Sequence, residues 1–166
     1  MIFHRRLLLL LCLAAASSAA SAGTVNVSFI QPKDYWDAGN TSFDEDANLK
    51  ALAAHLQRLG QRLLPADQSL EIEVLQVDLA GTVRSSLFPG RPVRTITGGT
   101  DWPRLHLRYS LQAAGKPAVR GEEWVSDLDY THGLARRSDN EALFYEKRML
   151  EQWFKARFVS GAAGPG

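Results

Sequence analysis

Glu122, Glu123, Asp127 and Asp129 fall within eight consecutive residues, and carboxylates at that density can share the roles of general acid and general base on a polymer. The same acids have a structural use. Arg104 to Leu111 and Val119 to Val125 alternate like the two arms of a hairpin around Gly115. A three-residue turn sets Arg108 opposite Glu122, and a two-residue turn sets it opposite Glu123. Either register yields a cross-strand ion pair, and structural pairs gather acids much as catalytic sites do. A cell-wall polymer hydrolase using Glu122 or Glu123 with Asp127 or Asp129 is therefore an alternative reading and not the leading one.

Asp127, Asp129 and His132 could supply one imidazole and two carboxylates to a metal, a donor set that leaves an open position. No second histidine lies near them, and His55 and His106 belong to other elements. A metal-binding protein is thus a second alternative. Asp34, Asp37, Asp44, Glu45 and Asp46 concentrate oxygen donors, but they lack the alternating spacing and central glycine of a calcium loop. Acids at a helix start are favoured by the macrodipole, and that is the reading adopted. No cofactor is expected, and no Ser/His/Asp or Cys/His nucleophile arrangement is legible.

The aromatics give a different signal. Tyr35 and Trp36 sit in a turn-rich stretch from Gln31 to Thr41, Trp102 stands at a strand edge, and Trp124 and Tyr130 lie in or after a strand. Core packing competes for Trp124, and for Trp153 on a helical stripe. Aromatic rings on loops commonly do binding work. The residues predicted to meet a ligand are Tyr35, Trp36, Trp102, Arg104, Arg108, Glu122 and Tyr130.

The elements that must position them follow from periodicity. Thr24 to Ile30 alternates as a half-buried strand. Ser42-Phe43-Asp44-Glu45 reads as a capping box, after which Leu49, Leu52, Leu56, Leu59 and Leu63 form a helical stripe that Pro65 ends. Leu70, Ile72 and Val74 alternate, then the phase slips to Leu75, Val77 and Leu79, the sequence mark of a β-bulge. Gly81 to Asp101 holds only a short alternating piece at Val93 to Thr97, and so predicts a short edge strand, a mobile lid or both. A second capping box at Ser138-Asp139-Asn140-Glu141 opens a final helix carrying Leu143, Met149, Leu150, Trp153, Phe154 and Phe158.

The fold predicted is α+β. It is a two-layer sandwich in the order β-α-β-β-β-α, with a mixed four-stranded sheet, five-stranded if the Val93 piece joins it, and two helices on one face. The strands at Val25 and Ile72 should be parallel neighbours.

Composition and the amino terminus narrow the functional classes. His4, Arg5 and Arg6, an apolar run from Leu7 to Ala16, and Ala20-Ser21-Ala22 form a leader expected to be cleaved after Ala22. The apolar run is too short to span a bilayer, so no stable membrane anchor is expected after cleavage. The sole cysteine, Cys12, leaves with the leader. Of 166 residues, 144 remain, expected to form one domain from 23 to 159 with a disordered tail from 160 to 166. Losing Arg5 and Arg6 leaves 17 basic against 18 acidic residues, a net charge of −1. That balance argues against nucleic acid as a partner. Arg84, Arg91, Arg94, Arg104 and Arg108 form a local basic run, read as a solvated face. The oligomeric state is left open.

Four segments carry a resemblance: Phe29 to Asp37, Val77 to Gly81, Trp102 to Tyr109 and Tyr145 to Leu150. They resemble those of a family of small exported bacterial proteins catalogued as domain of unknown function 3016. The resemblance implies an exported single-domain protein and supplies no activity, cofactor or catalytic residue. Together these readings predict a periplasmic or secreted, non-catalytic binding module for an envelope protein or polymer.

Overall fold

The computed structural model of the chain describes residues 22–84, 92–132 and 141–160. The expected leader up to residue 21, Arg91, Ser138 to Asn140 of the second capping box, and the tail from residue 161 lie outside the described residues. In chain order the elements are β1 (Thr24–Phe29), α1 (Ser42–Leu63), β2 (Gln68–Asp78), β3 (Thr82–Arg84), β4 (Val93–Thr95), β5 (Arg104–Ala113), β6 (Val119–Ser126) and α2 (Phe144–Phe154).

The main sheet has the strand order β1-β2-β5-β6. β1 runs parallel to β2, with Val25 beside Leu70 and Val27 beside Ile72, as the β-α-β order requires. β2 is antiparallel to β5, and β5 to β6. One face of this sheet is apolar because the period-two sets agree in register. Leu70, Ile72, Val74 and Val77 of β2, Leu105, Leu107 and Tyr109 of β5, and Val125 of β6 are all buried. Both helices pack on that face through Leu49, Leu52, Leu56 and Leu59 of α1 and Met149, Leu150, Trp153 and Phe154 of α2. The architecture is an α+β sandwich with a mixed four-stranded sheet.

The bulge lies where the phase slip placed it. Val74 opposes Leu107 and Gln76 opposes His106, so Leu75 is the extra residue. The short alternating piece at Val93 does not join the main sheet. It pairs as β4 with β3 in a separate two-stranded ribbon. The β5–β6 turn places Arg108 opposite Glu122, the three-residue register, with Gly115 at a φ of 70° that suits glycine.

Two helix starts differ from the sequence reading. The N-cap of α1 is Thr41, one residue before Ser42, and its hydroxyl accepts from the Asp44 amide at 3.2 Å. Thr41 is extended (φ −144°, ψ 162°) while Ser42 is already helical, so the threonine is placed to cap. Helix α2 begins only at Phe144, after Leu143 in the left-handed region at φ 57°, with no side-chain cap. It ends in a π-helical turn, Lys155–Val159, that brings Phe158 against Tyr109 and Trp153.

Candidate binding face

The sheet face away from the helices is polar and bears a row of planar side chains. His106 and Trp124 are direct cross-strand partners, and their rings stack with centroids 4.7 Å apart and planes 5° from parallel. Trp36 stacks on Trp124 at 5.3 Å and 19°. The Arg104 guanidinium lies 4.7 Å from the centre of the Trp36 ring and 6.0 Å from that of Trp102. Aromatic stacking contributes about 0.5–1.5 kcal/mol per pair and an exposed cation–π contact about 0.5–1 kcal/mol, enough to order the row. Trp36 nevertheless keeps 59% of its surface in solvent, and Trp124 keeps 46%.

Trp36 reaches this row from outside the sheet, so its loop must be held. A 3-10 turn, Pro32–Asp34, leads to Tyr35, whose hydroxyl donates to the Val74 carbonyl at 2.7 Å. Burial pushes the Tyr35 phenol up to about 12, against the opposing effect of a backbone hydrogen bond near Ile30. The Trp36 amide donates to Oε1 of Gln76 at 2.7 Å, and Nε2 of Gln76 donates to the Asp34 carbonyl at 3.4 Å. Gln76 directly follows the bulge residue, so the slip that looked like a local irregularity re-aims the side chain that holds Trp36. Asp37 then bridges β2 in parallel fashion, its amide donating to Val77 and its carbonyl accepting from Leu79, both at 3.1 Å.

Beyond the aromatic row lies a ladder of cross-strand ion pairs. Asp78 binds Arg104 at 2.8 Å, and Arg108 sits between Glu73 and Glu122 at 2.8 Å from each. Nε2 of His106 lies 3.3 Å from Glu122. The Arg108 hydrogen bond holds the Glu122 carboxyl below its ordinary range. Glu73, Arg108, Ser110, Arg120 and Glu122 border a shallow hollow of about 400 Å³ further along the face.

Of the seven residues predicted to meet a ligand, Trp36, Trp102 and Arg104 converge, and Arg108 with Glu122 lies on the same face. Tyr35 and Tyr130 do not join them. Tyr35 anchors its loop from below, and Tyr130 is 1% exposed. The Tyr130 hydroxyl donates to Oδ1 of Asp101 at 2.6 Å and accepts from the Gly98 amide at 3.1 Å, so its ring is not open to a surface ligand. Burial and Asp101 raise its phenol to about 12. Trp124 and His106 are the members that sequence reasoning left out. The available signal was parity: Trp124 shares its strand face with Arg120 and Glu122, while Val125 takes the buried side.

The four acids first considered for catalysis do not meet. Glu122 faces the open side, whereas Glu123 faces the helices and accepts from Nε1 of Trp153 at 3.2 Å and from Arg157 at 2.6 Å. Asp127 is bound by Arg148 at 2.8 Å, and Asp129 pairs with His132 at 2.9 Å in solvent. Asp127 therefore does not share a ligand set with Asp129 and His132, and among the described residues no three His, Cys, Asp or Glu side chains gather around a common point. Asp37, read as one of the acids at a helix start, is instead paired with Arg94 at 2.6 Å. Arg94 in turn is not a solvated member of a basic run.

No curated protein and no solved structure matches the chain. The family pattern described as "Protein of unknown function (DUF3016)" matches residues 23–156, most of the 166, and the chain belongs to that family.

Proposed function

We propose that this chain is an exported, periplasmic, non-catalytic binding module that takes a segment of an envelope protein or polymer across its open sheet face, at Trp36, Trp102 and Trp124. The observation that carries this reading is the pair of exposed tryptophans stacked on each other and fixed by Gln76, Asp37 and Arg104. Apolar surface left in water forgoes roughly 25 cal/mol per Å² of burial. Holding two indoles rigid in that state makes sense where a partner covers them, because the ordering cost of binding is then already met. The face is open and extended, whereas small ligands usually take concave sites that bury most of their surface; a macromolecular ligand fits better. Its charges are largely neutralised by one another, which favours contact through stacking and hydrogen bonds. The amino-terminal leader pattern supports export. The arginine partners of Glu122, Glu123 and Asp127 weigh against the hydrolase alternative.

The test is capture from a solubilised envelope extract by the immobilised chain, compared with Trp36→Ala and Trp124→Ala. Both substitutions should abolish capture while the variants still unfold cooperatively in urea, destabilised by no more than the stacking and cation–π contacts they lose, about 1–3 kcal/mol. Undiminished capture by both variants would refute the reading.

A further inference from the structure

Arg94 of the β3–β4 ribbon reaches the loop that carries Trp36. Nη2 of Arg94 donates to Oδ1 of Asp37 at 2.6 Å and to Oδ1 of Asn40 at 3.4 Å, while Nη1 donates to the carbonyls of Ala80 and Gly81 at 3.3 and 3.2 Å. One guanidinium thus joins the loop that carries Trp36, the exit of β2 and its own strand. A planar, five-donor fork can do this, and an ammonium cannot satisfy all of these acceptors at once. The junction is closed from two further sides. The side-chain amide of Asn40 donates to the Pro92 carbonyl at 3.2 Å, and the buried Glu146 of α2 accepts from the Ala80 amide at 2.7 Å. Gly81 sits there at φ 85° against the Thr95 carbonyl, so the ribbon and β2 approach too closely for a side chain.

We propose that Arg94 is a positioning residue for the binding face: by fixing Asp37 it sets the adjacent Trp36 in its stack on Trp124. The proposal rests on reading that face as the binding site. It gives the ribbon a part in recognition. Arg94 itself lies beneath the loop and need not touch the ligand.

Two readouts separate this role from a merely structural one. The stacked indole pair gives exciton-coupled circular dichroism, which reports the Trp36–Trp124 geometry without any ligand, and capture from the solubilised envelope extract reports binding. In the full chain, Arg94→Gln should lose most of the exciton signal, down toward the floor set by Trp36→Ala, and weaken capture about tenfold, with native backbone circular dichroism. Arg94→Lys, which keeps the Asp37 pair and loses the fork, should fall between. Asp37→Asn keeps both backbone bridges of the loop and should shift both readouts in the same direction. It decides the matter if Arg94→Gln does not fold. An exciton signal within about twofold of the unsubstituted chain in folded Arg94→Gln, or in Asp37→Asn where Arg94→Gln does not fold, would overturn the proposal. Undiminished capture by Trp36→Ala would instead sink the binding reading and leave the exciton test of Arg94 standing.

Discussion

At the scale of single residues, Trp36 and Tyr130 show how two aromatics with similar sequence surroundings reach opposite ends. Both follow polar, turn-forming stretches, and loop composition marks both for recognition. Trp36 has neighbours that hold its backbone and leave its ring out. Tyr130 has a carboxylate within 2.6 Å of its hydroxyl and a helix above it, with Tyr145 edge-on at 5.0 Å. Nothing in the order of residues foretells that Asp101 will meet Tyr130, because the contact joins two loops brought together by β5 and β6. Burial pushes the Asp101 carboxyl up, but hydrogen bonds from the Tyr130 hydroxyl and from the Thr97 amide and hydroxyl outweigh it and hold the group well below the usual carboxylate range. A depressed folded value contributes stability that is present above the unfolded value, about 3.9, and fades as pH falls below it. Tyr130→Phe should therefore cost about 1.5–3 kcal/mol at neutral pH, the worth of a hydrogen bond to a charged group. The difference from the unsubstituted chain should shrink as the medium is acidified below about pH 4. Urea titrations across that range measure it, and a cost that grew in acid would contradict the assignment.

At the scale of elements, legibility followed periodicity. β1, β2, β5, β6 and the leucine stripe of α1 each repeat long enough for one face to be recognised, and their pairings then follow from topology. The bulge was visible because it shifts a long pattern by one. β4 showed only as the short alternating piece at Val93 to Thr97 and β3 not at all, since three residues cannot display a period, and their pairing with each other depends on the close approach at Gly81 and on the Arg94 junction. The helix starts slipped for a related reason: Thr41 and Ser42 are chemically equivalent caps, and only backbone angles choose between them. The close packing of α1 on β1 was equally hidden. Gly60 is buried with the side chain of Val25 where its Cβ would lie. Replacing glycine with alanine inside a helix normally gains about 0.5–1 kcal/mol, while forcing a methyl into a filled interface costs about 1–3 kcal/mol. Overpacking should win, so Gly60→Ala is expected to lower the urea midpoint. A variant more stable than the parent chain would show that α1 can lift off β1 without penalty.

At the scale of the whole molecule, the two sheet faces divide the labour. The helix face holds the apolar core, including Trp153, and the open face holds Trp36, Trp102 and Trp124 in reach of Arg104 or of one another. Sequence patterning separates the faces strand by strand, but it does not reveal that a loop before α1 folds back over β5 and β6. This division makes the central claim directly measurable, because the four tryptophans supply four indole N–H resonances. On titrating isotope-labelled chain with the solubilised envelope extract, the resonances of Trp36, Trp102 and Trp124 should shift while that of Trp153 stays in place. Movement of Trp153 alone, or capture of a partner with all four resonances unmoved, would contradict the assignment of the open face as the binding face.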